Sequence, residues 1–214
     1  MTKPFFILAL LILCFSEGFS GQTEKSALIH SVYCNSINDT IKDAPNIFTS
    51  SEYFLKSGKS FTILQSPESD YLVNVYIIGN GFPGSRDTIL FDEIELIDTV
   101  LIADINNDGY EELYIFTKGF FPGAYDHVFG VTSDEDISYK EINFPDMKPS
   151  DFIENGVLNG YQGQDVYTLE DNTIKRAFPV YNAGDFYNSP SRGYRTLYYT
   201  LEKADSHFYY KLKD

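Results

Sequence analysis

Cysteine, histidine and long apolar runs are all in short supply in this chain. Its 214 residues hold two cysteines and three histidines. Cys14 stands inside an apolar leader, so a processed chain keeps only Cys34 and has no internal disulfide. Its core must then hold by packing. His30, His127 and His207 are scattered, and none falls in a Ser/His/Asp or zinc-ligand spacing. Asp92-Glu93 and Glu111-Glu112 are adjacent carboxylates, but neighbours on a strand point to opposite faces, so neither pair reads as an acid/base dyad. A non-enzymatic protein is expected. Positive charge is also in deficit: 16 Lys and Arg against 31 Asp and Glu give a formal charge of −15. That balance argues against nucleic acid and anionic lipid as partners and for a basic protein.

No apolar run is long enough to cross a bilayer as a helix. The longest, Phe5–Phe15, follows Lys3 and precedes Gly18-Phe19-Ser20, so residues 1–20 read as a secretory signal peptide. Bulky Leu11-Ile12-Leu13 before Cys14 argues against a lipid anchor there. A secreted or periplasmic protein follows. About 194 residues remain after Ser20, enough for one domain with a sizeable core.

Residues 21–60 form a polar segment with weak periodicity. From Phe61 to the C-terminus, short runs rich in Val, Ile, Tyr, Phe and Thr alternate with Gly, Pro, Asn and Asp: FTILQ, YLVNVYII, TILFDEIEL, TVLIA, ELYIFT, HVFGVT, SYKEINF, DVYTLE, RTLYYTL and HFYYKL. Such spacing predicts antiparallel strands joined by tight turns. Leu197, Tyr199 and Leu201 fall on one face of their strand, Tyr198 and Thr200 on the other. Ala204-Asp205-Ser206 then turns the chain into His207–Leu212. The expected class is all-β: an antiparallel sandwich of two packed sheets over residues 61–214.

Between TVLIA and ELYIF stands D-I-N-N-D-G-Y-E-E, residues 104–112. Like charges this close repel, and a cation is the simplest way to offset them. Calcium takes six to eight oxygens, and a loop with oxygen side chains at its first, third and fifth positions supplies three on one concave side. Those places are Asp104, Asn106 and Asp108. Gly109 permits the turn, Tyr110 offers a carbonyl, and Glu112 supplies a further ligand, with Glu111 or another loop available to complete the shell. Position twelve, where a helix-loop-helix site closes with Glu, is Ile115, and the flanks are strand-like. The alternative is a metal-free hairpin that uses Asn-Asp-Gly for turn geometry alone.

A second pattern is an echo. YIIGNGFPG at 76–84 and YIFTKGFFPG at 114–123 each run a strand ending in Tyr-Ile into a Gly-Phe-Pro-Gly turn, with one residue inserted in the second copy. Either both Phe tips fold back on the core, or they form apolar loop tips able to enter a partner's cleft. In the second case Phe82, Phe120, Phe121 and Tyr125 are the partner-binding residues. Further on, Arg176, Asp185, Arg192 and Arg195 cluster among Tyr and Gly, a pattern of structural ion pairs rather than a site.

The loop D-x-N-x-D-G-x-x-E-L between strands resembles the calcium loop of FG-GAP and VCBS-type repeats. The surrounding order of strands, with VLIADINNDGYEEL followed by an apolar strand and a Gly-rich loop ending in Tyr125, resembles the periplasmic inhibitors of invertebrate-type lysozyme. That resemblance covers about residues 61–145, so 61–147 reads as an inhibitor-like part and 148–214 as additional C-terminal strands. It implies a β-sandwich that plugs a lysozyme cleft with a loop. In that family the loop carries a Ser three residues before the Tyr; here Pro122 stands at that place, and Phe120 and Phe121 replace small residues. The implied function is a calcium-loop protein-binding module, with a structural calcium-binding surface protein or lipoprotein of FG-GAP/VCBS type as the alternative.

Overall fold

A computed structural model describes residues 49–120 and 126–213. The leader, Cys14, Cys34, Phe121 and Tyr125 lie outside the described residues. Strands dominate, and the all-β expectation is met.

The first sheet is a meander of β1 (Thr49–Phe54), β2 (Ser60–Pro67), β3 (Leu72–Asn80) and β4 (Ile89–Glu95), in that order. A bulge in β4 opposite Asn74 interrupts the β3–β4 ladder, and the Asn74 side-chain oxygen accepts the Glu93 amide at 2.7 Å. Bulges twist a strand, and here the chain then changes sheets through one residue, Leu96. Its carbonyl accepts the Lys118 amide at 3.0 Å, so the crossing leaves no orphaned acceptor.

The second sheet has eight strands and is two meanders side by side. One comprises β5 (Ile97–Ala103), β6 (Glu112–Thr117), β7 (Val128–Asp134) and β8 (Ser138–Asn143). The other comprises β9 (Val166–Glu170), β10 (Thr173–Pro179), β11 (Tyr194–Ala204) and β12 (His207–Leu212). They join by a parallel pairing of β8 with β12, at Phe208↔Ile142 and Tyr209↔Asn143; all the other pairings are antiparallel. The expected antiparallel sandwich of two sheets is met, and this joint adds one parallel pairing to it. A parallel pair needs a long crossover; residues 144–206 supply it through β9–β11, and its first part, 144–165, carries a single helical turn, α1 (Pro149–Phe152).

Two strands escaped the sequence reading. β1 lies in the segment read as merely polar: its residues TSSEYF sit at a sheet edge, none of them fully buried. β10 reads TIKRAFP, where Lys, Arg and Pro break the apolar signal, yet Ile174, Arg176 and Phe178 are all buried. The alternation read in β11 holds, with Tyr199 and Leu201 buried and Tyr198 exposed.

β6 explains how the layers cohere. All six of its residues are buried, because it is covered on both faces. Leu113 and Ile115 enter the core between the two sheets, with Phe61, Ile63, Val75 and Ile77. Tyr114 and Phe116 enter a second core, where β10–β12 fold back over β6–β8 and bring in Ile174, Tyr199, Leu201, Phe208 and Tyr210. Each such apolar side chain contributes roughly 1.5–3 kcal/mol on burial. β6 is thus the rigid rod of the fold, and the acidic loop opens directly onto it.

Among the described residues no helix is long and apolar enough to cross a membrane.

Candidate metal centre

β5 and β6 pair up to Ala103↔Glu112, and the eight residues between form the acidic loop. Two of them take left-handed backbone: Asn107 at φ 58° and Gly109 at φ 90°, the second a conformation that glycine adopts without a Cβ clash. The loop is built around its own carboxylates. Asp104 accepts the amides of Asp108 at 3.2 Å and Gly109 at 2.9 Å. Asp108 accepts the Tyr110 amide at 2.9 Å, and Asn106 bridges to Asp108, accepting its amide at 3.1 Å and donating to its carboxylate at 2.8 Å. These bonds hold the acidic side chains toward one another.

Glu112 differs from the others because it opens β6 and points into the second core, fully buried. One carboxylate oxygen, Oε2, accepts the Ile105 amide and the Tyr114 hydroxyl, both at 3.0 Å. The other, Oε1, is buried with no hydrogen-bond partner. Burial pushes the Glu112 carboxyl up to about 8; the Ile105 amide and Tyr114 hydroxyl pull it down, and the charges of Asp108 and Asp104 add to the rise. A buried acceptor without a partner costs about 1–3 kcal/mol, more if charged.

Ligand oxygens from Asp104, Asp108 and Glu112 all lie within 4.8 Å of one another. Two oxygens on one calcium, each at 2.3–2.6 Å, stand at most about 5 Å apart, so this set fits around a single ion. An all-oxygen set also suits a hard cation such as calcium or magnesium over zinc or copper. Of the residues expected at the site, the fold therefore brings Asp104, Asp108 and Glu112 together, with Asn106 braced against Asp108 and Tyr110 at the loop's exit. Glu111 does not complete the shell. It points to the other sheet, where it accepts the Lys56 amide at 2.6 Å and pairs with Lys56 Nζ at 3.0 Å. Adjacent strand residues diverge, which separates the two glutamates.

Two neighbours of the centre escaped the sequence reading. Tyr114 stands two residues past Glu112 on a strand, so period-two alternation places it on the same face. Asn172, from the β9–β10 turn, donates to Asn107 at 3.2 Å, a contact no local pattern announces.

The expected partner-binding residues separate. Phe82 is only 5% exposed and stacks on Phe61 with ring centroids 5.2 Å apart. It belongs to the core and not to a binding tip: Tyr139 closes over it from β8, also at 5.2 Å. Phe120 is 68% exposed, with its ring against Tyr71 at 5.4 Å. Its loop is fastened at the base, where Gly119 donates to Asp126 at 2.9 Å and His127 Nδ1 meets Glu95 at 3.0 Å. The arginine cluster dissolves as well. Arg176 pairs with Asp165 at 2.6 Å, while Asp185 caps a turn through the Asn182 and Ser191 amides. Arg192 and Arg195 donate to Asn159 and to the Gly156 and Val157 carbonyls.

No family model matches this chain, and no curated protein or solved structure is detectably similar to it.

Proposed function

We propose that this chain is a secreted or periplasmic binding protein that holds one calcium ion in the Asp104–Glu112 loop and offers the next loop to a protein partner. One observation carries the reading: a fully buried carboxylate oxygen of Glu112 without a partner, beside two more carboxylates at ion-binding separation. Folding would select against that arrangement unless a cation offset it. The ion's role is structural. Glu112 begins β6, and β6 leads directly into the loop that carries Phe120. An ion at one end of a strand buried on both faces fixes the register of what leaves the other end.

The partner in this reading is basic, such as a lysozyme, in keeping with a formal charge of −15 and an exposed aromatic side chain. Aromatic side chains supply large contact area at low entropic cost and often dominate interface energies. A second reading, a calcium-stabilised structural surface protein without a partner loop, draws support from the burial of Phe82.

Calorimetry on metal-stripped protein should register calcium binding that disappears in Glu112→Gln and in Asp104→Ala/Asp108→Ala. A silent wild-type titration refutes the ion. For the partner, the purified protein should inhibit an invertebrate-type lysozyme, with Phe120→Ala weaker. Full enzyme activity under excess protein and calcium eliminates inhibition and leaves the structural reading.

A further inference from the structure

The crossover from β8 to β9 shares one space with residues of β7, β8, β9 and β10. This space is a cavity of about 570 Å³, within the ~300–1,000 Å³ range of small-molecule sites. Its walls are apolar and aromatic, among them Phe129, Ile142, Phe144, Met147, Tyr161 and Tyr167. Phe152 and Met147 at its rim are exposed. A shorter groove shares Phe144, Pro145, Asp146 and Met147 with it and extends it past α1 toward Val157 and Leu158.

Its charges are one-sided. Asp126, Glu141 and Asp146 all line it, and among the described residues none of the three makes an ion pair. Arg176 is the only Lys or Arg among the described lining residues, and it is already committed. Its Nε donates to Asp165 at 2.6 Å, and its guanidinium lies over the rings of Tyr161 at 4.9 Å, Phe178 at 5.4 Å and Tyr167 at 5.7 Å. The His127 ring is held by Glu95. An anion entering this space would meet three carboxylates and, among the described residues, no available counter-charge. Burial already pushes the carboxyls of Glu141 and Asp126 upward, a cost that a cation in the cavity would relieve. Aromatic faces attract cations as well.

We propose that this cavity binds an organic cation: an ammonium or guanidinium group on an apolar aliphatic or aromatic body. The carboxylates take the charge, and the Phe144–Tyr161–Tyr167 walls take the body. The same chemistry can arrive as a free amine or as a lysine or arginine side chain with an apolar neighbour. This site shares no residue with the metal centre, so its fate is independent of the calcium reading.

The test is a set of titrations of the full chain followed by NMR, with probes matched in shape and differing in charge. Phenylethylammonium should bind, phenylethanol should bind about tenfold more weakly, the scale of one lost charge contact, and phenylpropionate should not bind. A capped Phe-Lys dipeptide tests the side-chain source, and whichever of it and the free amine binds more tightly identifies the source. Glu141→Gln/Asp146→Asn, isosteric changes at residues outside the hydrophobic cores, should erase the preference for the cation over phenylethanol. Met147→Ser/Phe152→Ser, also at the rim, should weaken every probe that binds. Equal affinity for the three charge types, preference for the anion, absence of binding by every probe, or a cation preference that survives Glu141→Gln/Asp146→Asn would each overturn the proposal.

Discussion

Asp165 and Glu112 are both buried carboxylates in this fold, and the chain treats them oppositely. Asp165 receives a cation from the chain itself: Arg176 on β10 donates to it, and the Tyr161 hydroxyl donates to it as well. Glu112 receives an amide and a tyrosine hydroxyl on one oxygen and nothing on the other. Both stand in aromatic surroundings, so hydrophobic context does not separate them. The lesson lies in where the compensating charge comes from. A carboxylate with its own arginine is a closed structural unit, complete when the chain folds. One with two acidic neighbours and an orphaned oxygen is left open by the fold, and the proposed function closes it with a cation from solution.

The largest effect should come from breaking the closed pair. Arg176→Met leaves Asp165 buried and uncompensated and should cost about 3–5 kcal/mol in urea unfolding. Arg176→Met/Asp165→Leu should recover most of that loss. A single variant as stable as wild type would mean that Asp165 never depended on its arginine.

The open carboxylate should reveal itself through pH. In metal-free protein Glu112 titrates at about 8, against 4.5 for the ordinary group, so the proton is held more tightly by the fold than by the unfolded chain. The resulting stabilisation is complete below about pH 4.5, drains as pH rises, and is gone above about 8. It should amount to a few kcal/mol. Glu112→Gln, neutral throughout, should lack this component of the stability–pH curve; superimposable curves for the two proteins would place Glu112 outside it.

A smaller change sharpens the same contrast. Tyr210 sits in the second core with its hydroxyl buried and unpartnered, so Tyr210→Phe should be neutral or stabilise metal-free protein by about 1 kcal/mol. A clear destabilisation would mean that the hydroxyl has a partner in solution. Smallest of all is an ion pair in water. Glu202 and Lys211 meet at 2.9 Å on exposed side chains, and Lys211→Ala should leave the melting temperature unmoved within error.

Much of the architecture was readable along the chain, and particular residues show why. β11 and β12 alternate cleanly around a two-residue turn, so their faces and pairing followed from period two alone. The acidic loop could be read equally well, because the spacing of Asp104, Asn106 and Asp108 is a property of nine consecutive residues. β10 could not, since Lys175, Arg176 and Pro179 look like loop chemistry until Asp165 and a cage of aromatic rings accept the guanidinium. Phe82 and Phe120 occupy echoing turns, yet the buried Tyr139 covers the first, while the second leans on the exposed Tyr71. That difference depends on a strand more than fifty residues away.

Local pattern alone therefore determined that this chain is made of strands, which side chains share a face, and which oxygens one loop can gather. Alternation and turn chemistry act over a few bonds, so the order of residues suffices. Tertiary structure alone decided that the large sheet closes through a parallel joint, that Arg176 answers Asp165, that Glu111 and Glu112 part company, and that one Glu112 oxygen is sealed away unpaired. Burial and charge compensation are set by whichever distant segment packs above a residue, and that is a property of the whole fold.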